Sequence, residues 1–209
     1  MAQPRIVSLL PSATEIAVAL GLGESLVGRS HECDYPLFVK ALPVVTSTRL
    51  EKGLTSRQID DRIQEIVRQG LSVYEVDTAL LRDLRPDLIL TQSQCAVCAV
   101  TPADLEEALG DWIGTAPTLL SLAPDTLEDV WSDFAKVAEA AGIPERASSV
   151  VGDLKERMSG LSRSSAERMD RPRVAAIEWI DPLMAAGNWV PELIEAAGGH
   201  PLFARAGEH

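Results

Sequence analysis

Over roughly its first 140 residues the chain alternates short apolar, β-branched runs with amphipathic helical stretches. The segments RIVSLL (5–10), LVGRS (26–30), LPVVTST (42–48), SVYEV (72–76), PDLILTQ (86–92) and PTLLSL (117–122) read as strands. Between them lie helical patterns at 11–23, 56–70, 77–85, from Thr101, and 125–142. In the first of these, Ser12 and Glu15 have the spacing of a capping box, and Gly21 or Gly23 ends the helix. Strands that alternate with helices predict a mostly parallel sheet covered by helices on both faces, with right-handed crossovers. The run at 86–92 is continuous enough to be buried on both sides.

A different element follows. From Pro144 to Met169 one long helical pattern carries Ala147, Val150, Val151, Leu154, Met158 and Leu161 as its apolar stripe. Beyond it, RPRVAAIEWIDP (171–182) reads as a buried strand, and GNWVPELIEAAGG (187–199) as a loop and a short helix. The expectation is an α/β fold in three parts. A first parallel-sheet lobe spans 1–143, a backbone helix spans 144–170, and a second α/β lobe at 171–209 has too few strands to close a core by itself.

The net charge of −12 argues against nucleic acid and anionic membrane surfaces, both of which need a basic face. No stretch approaches the ~20 apolar residues of a membrane span. The N-terminus MAQPRIVSLLPSATE lacks a secretory leader, since its apolar run is short and ends at Pro11, so the expected location is cytoplasmic. Three cysteines do not form a secreted disulfide framework. Trp112 and Trp131 fall on helical patterns and are expected in the core. No Gly-x-Ser-x-Gly, P-loop, Gly-x-Gly-x-x-Gly or His-Glu-x-x-His pattern is present, and no enzyme activity is expected.

Three segments, in order, carry a family resemblance: RIVSLLPSATEIAVALGLGESLVGRSHECDYP, LRDLRPDLILTQ and VAAIEWIDPLMAAGNWVPELIEAAGG. Together they resemble the iron-siderophore/cobalamin substrate-binding proteins of ABC transporters, and within them the cobalamin-binding branch. The resemblance implies two α/β lobes joined by a rigid helix, with a corrinoid ligand in the cleft between them. It also implies a permease partner, and exported relatives that are periplasmic or lipid-anchored. Relatives dock on permease arginines through one Glu per lobe. Ala79 stands at the first of these positions, with Glu75 and Asp77 nearby, and the second position falls beyond His209.

The candidate ligand-binding residues are Ser12, Ala13, Thr14, His31, Asp34, Tyr35, Gln92, Trp179, Asn188 and Trp189. Ser12, Ala13 and Thr14 open the first helix, whose free N–H groups suit anionic or amide groups. Asp34-Tyr35-Pro36 matches the resemblance, which places Tyr35 in the cleft as a flat face for a large ring; a Pro-fixed turn is the plainer reading. His31 either coordinates the metal of a corrinoid, bonds a ligand carbonyl, or bonds only the backbone. Trp179, Asn188 and Trp189 belong to the facing loops of the second lobe. A second reading stays open beside this one. Cys95-x-x-Cys98 has chelating spacing, and Cys33 with His31 completes a Cys3His set for zinc or an iron–sulfur cluster. A redox-active dithiol and structural cysteines are the remaining alternatives.

Overall fold

A computed structural model describes residues 3–69, 71–93, 100–103, 105, 112, 114–166 and 170–208. Four parallel strands form the central sheet: β1 (Ile6–Ser8), β2 (Leu26–Arg29), β5 (Leu88–Gln92) and β6 (Thr118–Leu122), in the order β2-β1-β5-β6. Their carboxyl ends therefore share one edge. Side chains alternate across the sheet. Ile6, Leu88 and Leu90 enter one buried cluster, and Val7, Leu9 and Ile89 enter the other. The first cluster is closed by α1 (Pro11–Ala19) and by α4 (Leu127–Ala140), with α5 (Pro144–Ala166) against them. The second is closed by Leu81 of α3 (Thr78–Leu84) together with Val45, Val100 and Leu105. The expected helix cover on both faces is present.

Several local expectations are corrected. The capping box of Ser12 and Glu15 does not form. Pro11 already occupies the first helical turn, so Leu10 is the N-cap, and no side chain caps α1. Gly21, at φ 78, turns the chain after α1 and donates to Val18 O at 2.9 Å. Capping boxes form instead at Thr55 with Gln58, opening α2 (Ser56–Arg68), and at Thr126 with Asp129, opening α4. The strands β3 (Thr46–Thr48) and β4 (Tyr74–Val76) leave the parallel sheet and pair antiparallel with each other. Trp112 packs against the second cluster as expected, but it lies outside a helix and is half-buried, its indole donating to Thr115 O at 3.0 Å.

α5 has 23 residues and so runs about 35 Å. It packs along α4, where Lys155 bonds Glu128 at 3.0 Å and lies 5.9 Å above the Trp131 ring. Arg146 donates to Leu20 O at 3.1 Å, which ties α5 to the end of α1.

The single buried strand expected at 171–182 is two short strands, β7 (Arg173–Val174) and β8 (Ile177–Ile180), and it is largely exposed. Ile177, Glu178 and Ile180 of β8 are all exposed, as in a surface ribbon and not a sheet interior. β8 pairs antiparallel with β9 (Leu183–Ala185), and β7 pairs parallel with β10 (His200–Pro201). The helix α6 (Val190–Ala196) docks twice. Glu192 accepts from Leu127 N at 2.7 Å at the start of α4. Gly198, at φ 85, lies so close to α5 that a Cβ there would sit 2.6 Å from Ser165 Cβ.

Candidate functional site

The carboxyl edge of the parallel sheet is where open α/β folds bind ligands. Here β1 ends at Ser8, β2 at Arg29 and β5 at Gln92. Beneath this edge lies a buried polar network. Ser30 N donates to Ser8 O at 2.8 Å and Cys33 N to Ser30 O at 3.2 Å, folding the 30–33 turn onto β1. The Thr14 hydroxyl stands 2.9 Å from Ser8 Oγ, 3.1 Å from Cys33 Sγ and 3.2 Å from Leu10 O. It has one proton to give and two lone pairs with which to accept. Arg29 donates to Ser30 O and Cys33 O, each at 3.0 Å, and clamps the turn from the side.

His31 is half-buried on this turn. Its backbone N–H donates to Thr46 Oγ1 at 3.0 Å, and its Nδ1 lies 2.8 Å from the same oxygen. Thr46 in turn donates to Ser30 Oγ at 3.1 Å. The imidazole packs on Tyr74 of β4, with ring centroids 5.6 Å apart. Tyr74 is hydrogen-bonded to Glu32, and its phenol is pushed up to about 12, first by burial and then by the Glu32 charge and hydrogen bond.

Among the expected ligand residues, Ala13 and Thr14 are fully buried, so Ala13 is a core side chain and Thr14 serves the network just described. Ser12 is exposed. Asp34 is exposed and stands 3.9 Å from Lys40. Tyr35 is 62% exposed, followed by a cis bond to Pro36, and Leu37 and Phe38 beside it are also exposed. The tip of the Phe38 ring lies beside Gly23, ahead of β2, and not at the carboxyl edge. Gln92 ends β5 half-buried and pairs in register with Leu122.

In the second part of the chain, Trp179 is half-buried and its indole donates to Asp181 O at 2.9 Å. Asn188 is left-handed at φ 52. It is held by backbone bonds to Glu208 and Gly207, and its buried Oδ1 has no hydrogen-bond partner among the described residues. Trp189 is the half-buried N-cap of α6. Among the described residues no ring contact joins Trp189 to the 31–35 loop. Contacts between the two parts are made elsewhere: Glu192 accepts from Leu127 N, and Arg57 of α2 forms an ion pair with Asp181 in the β8–β9 turn.

Cys95 and Cys98 lie outside the described residues. Cys33 is fully buried. Burial pushes its thiol above the ordinary value, against the lowering effects of Thr14, Ser30 and Arg29. A protonated buried thiol is a poor metal ligand. His31 and Cys33 turn to different partners, Thr46 and Thr14, and no group of three or more His, Cys, Asp or Glu among the described residues converges on a metal position. Near the expected docking position, Glu75 is exposed and pairs with Arg49 at 3.3 Å, whereas Asp77 caps α3 by accepting from Leu80 N at 2.9 Å. Sequence reasoning missed Thr46, Tyr74 and Arg57. The period-two pattern of SVYEV held the one available signal, since it places Tyr74 and Val76 on the same inner face.

A sequence model described as "Periplasmic binding protein" matches residues 6–209. The vitamin B12-binding protein of Photorhabdus laumondii subsp. laumondii is 24% identical over 203 residues, which are 97% of this chain and 62% of that protein. The vitamin B12-binding protein of Yersinia pestis is 28% identical over 205 residues, 97% of this chain and 61% of that protein. The chain thus spans about three fifths of the length of these relatives. The crystal structure of the periplasmic vitamin B12 binding protein BtuF of Vibrio cholerae superposes with a TM-score of 0.65 at 23% identity, covering 98% of this chain and 68% of that one. The periplasmic heme-binding protein RhuT from Roseiflexus sp. RS-1, in apo form, gives 0.65 at 25% identity, covering 95% of this chain and 65% of that one. These findings overturn the expectation of a cytoplasmic location, because the matching family and structures are periplasmic. The apolar run on which that expectation turned is largely β1, a strand buried for the sake of the sheet, and it carries no information about compartment. With the parallel sheet, the long helix and the match over residues 6–209 together, the chain belongs to the periplasmic binding protein family.

Proposed function

We propose that this chain captures a ligand for an ABC-type importer, and that the ligand is a corrinoid or a related metal-bearing tetrapyrrole. It is held between a first lobe (1–143) and a second (171–209), with 144–170 as the backbone between them. The observation that carries the reading is the shared carboxyl edge of β1, β2 and β5. The half-buried imidazole of His31 and the exposed ring of Tyr35 belong to the loop that follows β2. A large flat ligand suits an exposed aromatic face with a few fixed polar groups beside it. The relatives named for vitamin B12 and heme support that ligand class.

In this reading Tyr35 and Trp189 supply the apolar faces. The free N–H groups at the start of α1, Gln92 and the Asn188 amide orient polar substituents of the ligand. Asp34 and Trp179 stand at its margin. The role is binding and delivery to a permease rather than catalysis. No helix among the described residues is long and apolar enough to cross a membrane.

The test is a titration of the chain with cyanocobalamin and with ferric heme, followed by corrin and Soret absorbance and by tryptophan fluorescence. Saturable changes at micromolar ligand are expected. Flat titrations with both ligands would remove the reading.

A further inference from the structure

After β2 the chain makes an excursion beyond the carboxyl edge of the sheet. Val44 bridges Arg29 in parallel, and Val45 N donates to Arg29 O at 2.9 Å, so residues 44–45 run beside the end of β2. β3 continues in that direction and projects past the edge, and β4 brings the chain back antiparallel beside it. The neck of the excursion is closed by Arg49 N, which donates to Val73 O at 3.0 Å, and by the ion pair of Arg49 with Glu75 at 3.3 Å. Beyond the neck lies α2. Its Thr55–Gln58 capping box supports the helix locally, and Ile66 is its one fully buried residue. A helix with so little burial can lift as a unit while the sheet stays folded.

What fastens α2 lies in the other part of the chain. Arg57, in its first turn, pairs with Asp181 in the β8–β9 turn. Asp181 is a fixed anchor, because its carbonyl accepts from the Trp179 indole at 2.9 Å. α2 thus reaches from the carboxyl edge of the first part to the ribbon of the second. The fastening is weak: a half-exposed pair shifts an equilibrium by a factor of about 5 at most. Release also leaves Arg57 with a partner, since Asp61, four positions along the same helix, already acts on its charge.

Resting on the ligand site proposed above, we infer that α2 is a strap across the mouth of that site, fastened by the Arg57–Asp181 pair, and that lifting of the strap limits how fast ligand enters and leaves. The neck at Arg49 and Val73 is its hinge. Arg57 and Asp181 bond each other and not the ligand, so the strap acts alike on the empty and the loaded chain. It slows entry and exit by the same factor and leaves the affinity unchanged.

The experiment measures association by stopped-flow mixing and dissociation by dilution, for the full chain with cyanocobalamin and with ferric heme. The variants are Arg57→Ala, Asp181→Asn and the two combined, with circular dichroism to confirm folding. In each single variant both rates are expected to rise together, by about 2–5-fold, with Kd moving by less than about 2-fold. The double variant adds nothing further. With cyanocobalamin, which carries no net charge, high salt reproduces the rise in wild type and has no such effect in the variants. A rise in the dissociation rate alone, with weaker binding, would make the pair a ligand contact and overturn the strap. Unchanged rates in Arg57→Ala would also overturn it, and in both cases the ligand reading stands. If wild type binds neither probe, the ligand reading falls, and the gating role with it.

Discussion

Arg57 and Asp181 form an ion pair although 124 residues separate them. Arg57 lies in the first turn of α2, and Asp181 lies in the turn between β8 and β9. The pair therefore bridges the parts of the chain on either side of the long helix α5. Both side chains are about half exposed, so solvent and salt weaken the attraction.

Arg57→Ala is accordingly expected to leave the thermal midpoint almost unmoved. It will lengthen the distance between spin labels placed on α2 and on the β8–β9 turn. High salt should reproduce the lengthening in wild type and add nothing in Arg57→Ala. A large loss of stability with unchanged label distances would show that the pair holds the fold rather than the spacing of the two parts.

Cys33 should resist alkylation in the folded chain. It is fully buried, and its thiol lies above the ordinary value of 9.0 chiefly through burial. The sign follows directly: as pH rises past 9.0 the unfolded thiol ionises first, so this group lowers stability there. Iodoacetamide labelling at neutral pH, mapped by peptide mass spectrometry, should give Cys33 a rate that tracks global unfolding. Rapid native-state labelling of Cys33 would contradict the buried network.

Tyr74 makes an alkaline signature. Its folded value of about 12 stands above the ordinary 10.0, so the unfolded chain loses this proton first. Stability should therefore fall as pH rises between 10 and 12, and the fall should shrink in Tyr74→Phe. Denaturant midpoints across that range measure both. Tyr74→Phe should also cost about 1 kcal/mol at neutral pH through the lost bond to Glu32.

Leu90 and Leu161 separate core from surface. Leu90 lies in the centre of the buried sheet and is fully buried, whereas Leu161 on α5 is 67% exposed. Leu90→Ala should cost about 2–5 kcal/mol, and Leu161→Ala within about 0.5 kcal/mol of zero. Chemical denaturation of the two variants compares them directly.

Much of the first part was legible along the chain because its signals are local. The run 86–92 became the buried strand β5, and the 77–85 pattern became α3 with Asp77 as its cap. The 125–142 pattern became α4, and the 144–169 pattern became α5 as far as residue 166. The loop at His31 was also recognisable, since it follows a strand. The network around it was not. Thr46 and Tyr74 reach His31 only because β3 and β4 pair with each other and lie against the loop, and periodicity is silent on pairing partners.

The second part was misread for a related reason. An apolar run such as 173–180 has the composition of a buried strand, but burial depends on what lies on either side of it. Here Ile177 and Ile180 are exposed, at 44% and 72%. By itself, then, the sequence determined the strand–helix alternation, the long helix and the placement of SHECDYP after a strand, because propensity and periodicity act over a few residues. Tertiary structure alone decided that Pro11 displaces the Ser12 cap, that Cys33 is a buried thiol beside Thr14, that Arg57 meets Asp181, and that Thr46 hydrogen-bonds the His31 ring. The last three are contacts between residues 15 or more positions apart, and their partners are chosen by packing rather than by spacing.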